Sequence, residues 1–242
     1  MVDSIDALLG FDPIAIRPGA QIKPEGALAE RFQGIYQAAD NWCWAAAAAS
    51  VATFYDRLKD QNSKVRAQCA IVDGCGKDGI WACDQGVSRP NCHKWTRDAE
   101  TVGCLNAAMD RAGFLNRALR ANGMLEVSIA LRSGRTHVVE DVVVVDADGQ
   151  QRPLVVGGSL DFDEFYDLIL RGYLVCLRSR RRGLRHFIIV YGCQTYPEYS
   201  LLVWDPAQGG DVIEADRFEF EYGPFTHKII SRPPVADAGG AP

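Results

Sequence analysis

A cysteine stands between two tryptophans in the segment QAADNWCWAAAAAS, and five alanines follow the second tryptophan. The alanines predict a helix, and Cys43 falls at its start. The unpaired N–H groups and the positive end of the helix dipole favour a thiolate there, which is the nucleophilic form of cysteine. Most free cysteines are instead small buried hydrophobes, so Cys43 alone does not establish a catalytic role.

A glutamine on the segment that leads into this helix strengthens the catalytic interpretation. When a nucleophile attacks a carbonyl group, the carbonyl oxygen becomes an anion that a side-chain amide and the nucleophile's own backbone N–H can stabilise. Gln37, six residues before Cys43, is placed to supply that amide. The two residues together indicate acyl-transfer chemistry.

A cysteine nucleophile also needs a base, and the chain has four histidines: His93, His137, His186 and His227. His186 opens the apolar run HFIIVYG directly after the arginine-rich segment RSRRRGLR. That position predicts an imidazole at the edge of the core, although a histidine at a strand start is often structural. We therefore take His186 as the candidate base.

The next predicted strand, LLVWDP, ends in a carboxylate that could orient this histidine. Asp205 lies on that strand, and the short connection CQTYPEYS predicts a hairpin that brings it beside His186. A third group of this kind fixes the tautomer of a catalytic imidazole. An Asp-Pro turn at a strand end is the structural alternative for Asp205.

These motifs, in this order, resemble the papain-like cysteine peptidases. The WCWAA form, the histidine strand and the VWDP segment are most similar to the bacterial branch with staphopain, the AvrRpt2-type effectors and the C39-like peptidases. The resemblance covers roughly residues 35–206, and the segment FDEFYDLILRGYLVCL resembles the family's helix-Gly-strand segment before the histidine. The chain departs from the family pattern at Arg185, where a glycine is frequent, and at Asp205, where many relatives have asparagine.

The resemblance implies an α+β papain-like fold, in which a helical lobe packs against an antiparallel sheet or half-barrel lobe with a cleft between them. It further implies that Cys43 is the nucleophile, His186 the general base and acid, Asp205 the orienting carboxylate and Gln37 an oxyanion-hole donor. No cofactor or metal is expected for this chemistry. An acyltransferase or isopeptidase with the same residues, and a catalytically silent binding domain, are the alternatives.

The elements that must position these residues follow from composition and periodicity. Helices are predicted from Trp44 to about Lys59, over residues 101–112 before Gly113, and from Phe162 to about Arg171 with Asp161 and Glu164 as a capping box. Strands are predicted for VVEDVVVVD, LVCLRS, HFIIVYG and LLVWD. The predicted organisation is an N-terminal arm (1–34), a catalytic domain (35–232) and a disordered tail (233–242). Within the domain, residues 35–115 form a helical lobe with a cysteine-rich insert at 61–98, and residues 116–232 form the β lobe.

The composition restricts the classes of partner that we expect. The net charge of -5 argues against a nucleic-acid binder, so a protein or peptide is the expected substrate. The N-terminus lacks the basic and apolar regions of a secretory signal, and no apolar run is long enough to cross a bilayer. We expect a cytoplasmic location and no membrane partner, although an effector exported by another route would have the same N-terminus.

Seven further cysteines and an arginine run are not explained by the proposed chemistry. Four cysteines of the insert are compatible with disulfides, with free thiols or with a metal site that includes His93: Cys69, Cys75, Cys83 and Cys92. Three others are expected in the core: Cys104, Cys176 and Cys193. The arginines before His186 form either a solvated loop or a site for acidic substrate residues: Arg178, Arg180, Arg181, Arg182 and Arg185.

Overall fold

The computed structural model describes residues 29–38, 42–68, 71, 113–131, 136–145, 150–157, 160–180 and 185–234. Within these ranges the chain forms a short 3-10 helix at Ala29–Arg31 and four α-helices: α1 (Cys43–Lys59), α2 (Gly113–Ala121), α3 (Phe162–Leu170) and α4 (Ala215–Tyr222). Most of the predicted arm and of the cysteine-rich insert, the predicted helix at 101–112, and the end of the tail lie outside the described residues. None of the described helices is long and apolar enough to span a membrane.

In the residues that the structure describes, eight strands form one sheet: β1 (Leu125–Ala130), β2 (Thr136–Val145), β3 (Gln151–Gly157), β4 (Leu174–Ser179), β5 (His186–Gln194), β6 (Ser200–Asp205), β7 (Gly209–Glu214) and β8 (Phe225–Ser231). Their order is β3-β2-β1-β8-β4-β5-β6-β7, and each neighbouring pair is antiparallel. The described part of the chain is therefore an α+β fold, as predicted. The predicted hairpin of β5 and β6 is also present, with Ile189 opposite Trp204.

Helix α1 is buried around its circumference for its first three turns. The five alanines are fully inaccessible to solvent, and Ser50 and Thr53 are buried with them. A helix that is buried on every side must meet protein on every side, and alanine allows neighbouring elements to approach closely. The strong helix propensity of alanine and this packing both favour a helix that begins at Cys43.

The two faces of the sheet carry separate apolar clusters. Helices α1 and α2 pack with alternate residues of the central strands, including Cys176, Phe187 and Ile189. The intervening residues of the same strands point to the other face, where they pack with Phe165 of α3 and Phe218 of α4. This alternation is the expected consequence of the two-residue period of a strand that is covered on both sides.

Local signals explain the start and end of α3. The side chain of Asp161 accepts a hydrogen bond from the backbone N–H of Glu164 at 3.0 Å, which confirms the predicted helix cap. After the helix, Gly172 adopts a φ of 83°, in the left-handed region that favours glycine. The helix therefore stops where the sequence indicates.

Helix α2 differs from the prediction, which ended the preceding helix before Gly113 and placed strands after it. Residues 113–121 are helical, and their buried side chains are Leu115, Asn116, Ala118 and Leu119. The spacing of Leu115, Ala118 and Leu119 is the helical i, i+3, i+4 pattern, which outweighs the helix-ending tendency of glycine once that face packs against α1.

The hydroxyl of Tyr55 joins α1 to two strands in the centre of the fold. It donates to the carbonyl oxygen of Ser231 at 2.7 Å and accepts from the backbone N–H of Leu174 at 3.2 Å. Because Tyr55 is fully buried, removal of its hydroxyl would leave each partner without a hydrogen bond that water cannot replace. This contact fixes the height of α1 over the sheet.

Tyr55→Phe should therefore lower the free energy of unfolding by about 1–3 kcal/mol, because it leaves buried backbone groups without their partner. Urea denaturation gives this difference directly. Tyr196→Phe, at a side chain that is 82% exposed, serves as the matched control and should change stability little. Equal stability of both variants would show that the Tyr55 hydroxyl does not hold α1 in place.

Candidate active site

Cys43 is the first residue of α1, so the positive end of the helix dipole lies beside its thiol. Trp42 precedes it and makes no side-chain capping bond to the first turn. Only 7% of Cys43 is exposed, and the residue is part of the apolar cluster of α1 and α2. The residue thus occupies the predicted position.

His186 is the first residue of β5 and contacts two of the other predicted residues. Its Nε2 lies 2.6 Å from Oδ1 of Asp205. The side chain of Cys43 is close enough to His186 to raise the pKa of the imidazole. The structure therefore brings together a thiol, an imidazole and a carboxylate from α1, β5 and β6. Cys43 and His186 are far apart in sequence, so only the tertiary fold makes them neighbours.

The surroundings of His186 favour its charged form. Burial disfavours the charge, but the hydrogen bond to Asp205 and the neighbouring Cys43 outweigh burial and raise the pKa of His186 to about 9. Burial likewise raises the pKa of Asp205, while its hydrogen bond with His186 lowers it, and the net direction is downward. The arrangement stabilises an imidazolium between two groups that can each carry a negative charge.

Asp205 is held by its own backbone as well as by His186. Its Oδ1 accepts from the backbone N–H groups of Ala207 at 2.7 Å and Gln208 at 3.2 Å, and the residue is 3% exposed. The carboxylate therefore caps the turn after β6 and contacts the histidine at the same time. The two interpretations of Asp205 from sequence, as turn residue and as partner of His186, describe the same geometry.

Gln37 lies on a segment outside the helices and strands, residues 32–38, which we call the strap. Its backbone N–H donates to the carbonyl oxygen of Pro206 at 2.9 Å, so the strap is tied to the residue that follows Asp205. The side-chain Oε1 of Gln37 is buried. The structure thus places Gln37 beside the end of β6, close in space to Asp205.

The strap crosses the sheet on the indole of Trp204. A Cβ on Gly34 would lie 2.0 Å from Cδ2 of Trp204, so only glycine permits this crossing. The indole Nε1 donates to the carbonyl oxygen of Ile35 at 3.3 Å, and Phe32 stacks on Tyr191 with ring centroids 4.3 Å apart. The tryptophan of the VWDP segment therefore supports the strap, a role that sequence analysis did not identify.

The other described histidines have partners elsewhere in the fold. Nε2 of His227 lies 3.4 Å from Oε1 of Glu140, and His137 interacts with Glu164. His93 lies outside the described residues. No group of three or more metal-binding side chains occurs in the part of the chain that the structure describes.

The arginine run divides between core and surface. Arg178 is 7% exposed within β4, whereas Arg180 and Arg185 are exposed at either end of the following loop. Arg181 and Arg182 lie outside the described residues. Arg178 therefore does not belong to a solvated arginine loop, because it is part of a central strand.

The described cysteines other than Cys43 are core residues. Cys176 and Cys193 are free thiols that are 0% and 2% exposed, as predicted. Burial raises the pKa of both to about 12, which keeps them protonated and unreactive. Cys104 and the four cysteines of the insert lie outside the described residues.

Comparison with known proteins identifies a family model that matches the chain. The sequence profile of a family described as papain-like cysteine protease AvrRpt2 matches residues 28–157, more than half of the chain. The matched range includes Gln37 and Cys43 and ends before His186 and Asp205. No curated protein and no solved structure matches the chain.

Asp205→Asn should lower the pKa of His186, because a neutral amide stabilises the imidazolium less than a carboxylate does. NMR titration of the His186 ring should give a midpoint near 9 in the unchanged protein and a lower one in the variant. Asp211→Asn, at an exposed carboxylate of β7, is the control. Equal midpoints for the protein and Asp205→Asn would contradict the assigned contact.

The same pKa predicts how stability depends on pH. The pKa of His186 is raised above the 6.5 of an ordinary histidine, so its charged form stabilises the fold fully below pH 6.5. This contribution is lost as pH rises through 9. The difference in unfolding free energy between the protein and Asp205→Asn, measured by urea denaturation, should therefore be largest near pH 6 and shrink above pH 9.

Proposed function

This chain belongs to the family of the papain-like cysteine protease AvrRpt2, and we propose that it hydrolyses peptide bonds with Cys43 as the nucleophile. One observation carries the proposal: Nε2 of His186 lies 2.6 Å from Oδ1 of Asp205, and Cys43 is close enough to raise the pKa of the same imidazole. The family match ends before His186 and Asp205, so this geometry supports the same chemistry independently of the match.

The proposed chemistry requires a proton on His186 and a negative charge on Cys43. The raised pKa of His186 keeps the imidazole charged near neutral pH, and the start of α1 places the positive end of the helix dipole beside the sulfur. Because Nε2 is bound to Asp205, Nδ1 is the ring nitrogen that would exchange a proton with the sulfur. Asp205 fixes the orientation of the ring and need not exchange a proton itself.

Attack of the thiolate on a peptide carbonyl forms a C–S bond and places a negative charge on the carbonyl oxygen. The backbone N–H of Cys43 and the side-chain amide of Gln37 would donate to that oxygen. His186 then gives its proton to the leaving amine as the C–N bond breaks. Water, deprotonated by His186, hydrolyses the thioester, releases the carboxylic acid and restores the thiolate-imidazolium pair.

We further propose that the substrate enters a cleft between a helical lobe and a β lobe. Helices α1 and α2 share one apolar cluster on one face of the sheet. His186 and Asp205 stand at the ends of β5 and β6, opposite the start of α1. A peptide bound at this edge would reach the thiol from solvent without crossing the core.

Replacement of the nucleophile tests this proposal first. On a peptide library, the protein should produce cleavage fragments, and Cys43→Ala should reduce cleavage to background because no other described thiol is accessible. Cys193→Ala removes a buried thiol in β5 and should retain activity. Peptides joined to an added amine would indicate acyl transfer, and cleavage of branched peptides alone would indicate an isopeptidase.

Alkylation by iodoacetamide separates an activated thiol from an inert binding domain. At pH 6 Cys43 should react faster than an ordinary exposed cysteine, because His186 is still charged and stabilises the thiolate. His186→Ala should remove this advantage. A rate equal to that of a free cysteine peptide would sink the proposed ion pair, whatever the library shows.

Gln37→Ala should lower kcat by about 10²- to 10³-fold, the usual effect of losing one oxyanion donor. It should leave the alkylation rate of Cys43 unchanged, because alkylation forms no oxyanion. Steady-state kinetics on a peptide found in the library screen give the first quantity, and the iodoacetamide assay gives the second. Unchanged kcat would assign the donor role to another group.

A further inference from the structure

We propose that Gln68 is a positioning residue that holds Gln37 in place, an inference that rests on the proposed function of Gln37 as oxyanion donor. Its side-chain amide binds the strap on both sides of that residue. Nε2 of Gln68 donates to the carbonyl oxygen of Tyr36 at 2.6 Å, and its Oε1 accepts from the backbone N–H of Ala38 at 3.0 Å. The planar amide of Gln68 thus binds the peptide units before and after Gln37.

The strap belongs to neither a helix nor a strand, and Tyr36 is 59% exposed. Other hydrogen bonds also hold its backbone. The N–H of Gln37 donates to the carbonyl oxygen of Pro206, and Ile35 binds the hydroxyl of Ser50 at 3.0 Å and the indole of Trp204 at 3.3 Å. Gln68 is 9% exposed, so its two hydrogen bonds are shielded from competition with water.

Gln68 is itself anchored to the helix that carries Cys43. The backbone N–H of Arg66 donates to the hydroxyl of Thr53 at 2.9 Å. Its guanidinium binds both carboxylate oxygens of Asp56, with Nε to Oδ2 at 2.6 Å and Nη2 to Oδ1 at 3.1 Å. Thr53 and Asp56 belong to α1, so a continuous chain of contacts runs from α1 through Arg66 and Gln68 to the strap.

This chain of contacts sets the position of Gln37 relative to Cys43. Both residues are positioned relative to α1. Gln37 is held through Gln68, whereas Cys43 is part of the helix itself. A donor that is displaced by a fraction of an ångström loses most of its effect on a transition state, while substrate binding elsewhere in the cleft is unaffected. Loss of Gln68 should therefore lower kcat more than it raises KM.

Two substitutions separate the hydrogen bonds from simple packing. Gln68→Leu keeps the size of the side chain but makes neither bond, whereas Gln61→Leu changes an exposed glutamine near the end of α1 and serves as control. Gln68→Glu keeps the acceptor for Ala38, but when ionised it cannot donate to Tyr36. When protonated, the carboxylic acid can make both bonds.

We expect Gln68→Leu to lower kcat by about 10- to 100-fold with little change in KM, and to leave the iodoacetamide rate of Cys43 at its original value. Gln61→Leu should match the unchanged protein. The activity of Gln68→Glu, as a ratio to the unchanged protein at each pH, should rise as pH falls from 8 to 5. A flat ratio, or equal loss of alkylation and hydrolysis in Gln68→Leu, would overturn the positioning role.

Amide hydrogen exchange tests the contact without reference to activity. In Gln68→Leu the backbone N–H groups of Gln37 and Ala38 should exchange at least tenfold faster, while amides within α1 keep their rates. Unchanged exchange at both positions would overturn the proposal even if kcat fell. If the unchanged protein cleaves no peptide, the proposed function fails, and faster exchange would still establish that Gln68 holds the strap.

Discussion

The central constraint of this structure is that one partly buried imidazole carries a charge between two groups that stabilise it. Burial alone would lower the pKa of His186, yet the contacts with Asp205 and Cys43 raise it to about 9. Such a reversal requires partners that are held close to the imidazole, because their effect on its charge is larger where water is scarce. The positions of α1, β5 and β6 bring these partners together.

Two features determine the position of helix α1. Its alanines allow close packing on the sheet, and the Tyr55 hydroxyl links it to the strands β4 and β8. The hairpin of β5 and β6 sets the distance from His186 to Asp205, and the turn after β6 holds the carboxylate through backbone N–H groups. The strap then crosses Trp204 to reach Pro206, so the four candidate residues are positioned by elements in mutual contact.

Much of this arrangement could be predicted from local patterns. The start of α1, the cap of α3 and the pairing of β5 with β6 each follow from propensity, capping residues or a short connection, and the structure confirms them. Helix α2 was not predicted, because Gly113 indicated the end of a helix. Packing against α1 nevertheless allows residues 113–121 to be helical. The roles of Cys43, His186, Asp205 and Gln37 in catalysis remain predictions, although His186 contacts two of the other three.

The supports of the strap could not have been found in the same way. Gln68 bonds to residues about thirty positions earlier, and no motif marks a side chain that acts on the backbone of a distant segment. Trp204 belongs to the VWDP motif, but its contact with Gly34 depends on how the strap crosses the sheet. Long-range contacts between irregular segments carry no periodicity, so only the folded chain reveals them.

The claim that this site performs covalent acyl transfer can be tested by trapping the intermediate. A peptide ester mixed with the protein and quenched in acid should leave its acyl group on the proteolytic fragment that contains Cys43, as measured by mass spectrometry. The adduct should be absent from Cys43→Ala and strongly reduced in His186→Ala. An acyl group on another residue, or ester turnover that persists in Cys43→Ala, would contradict the account.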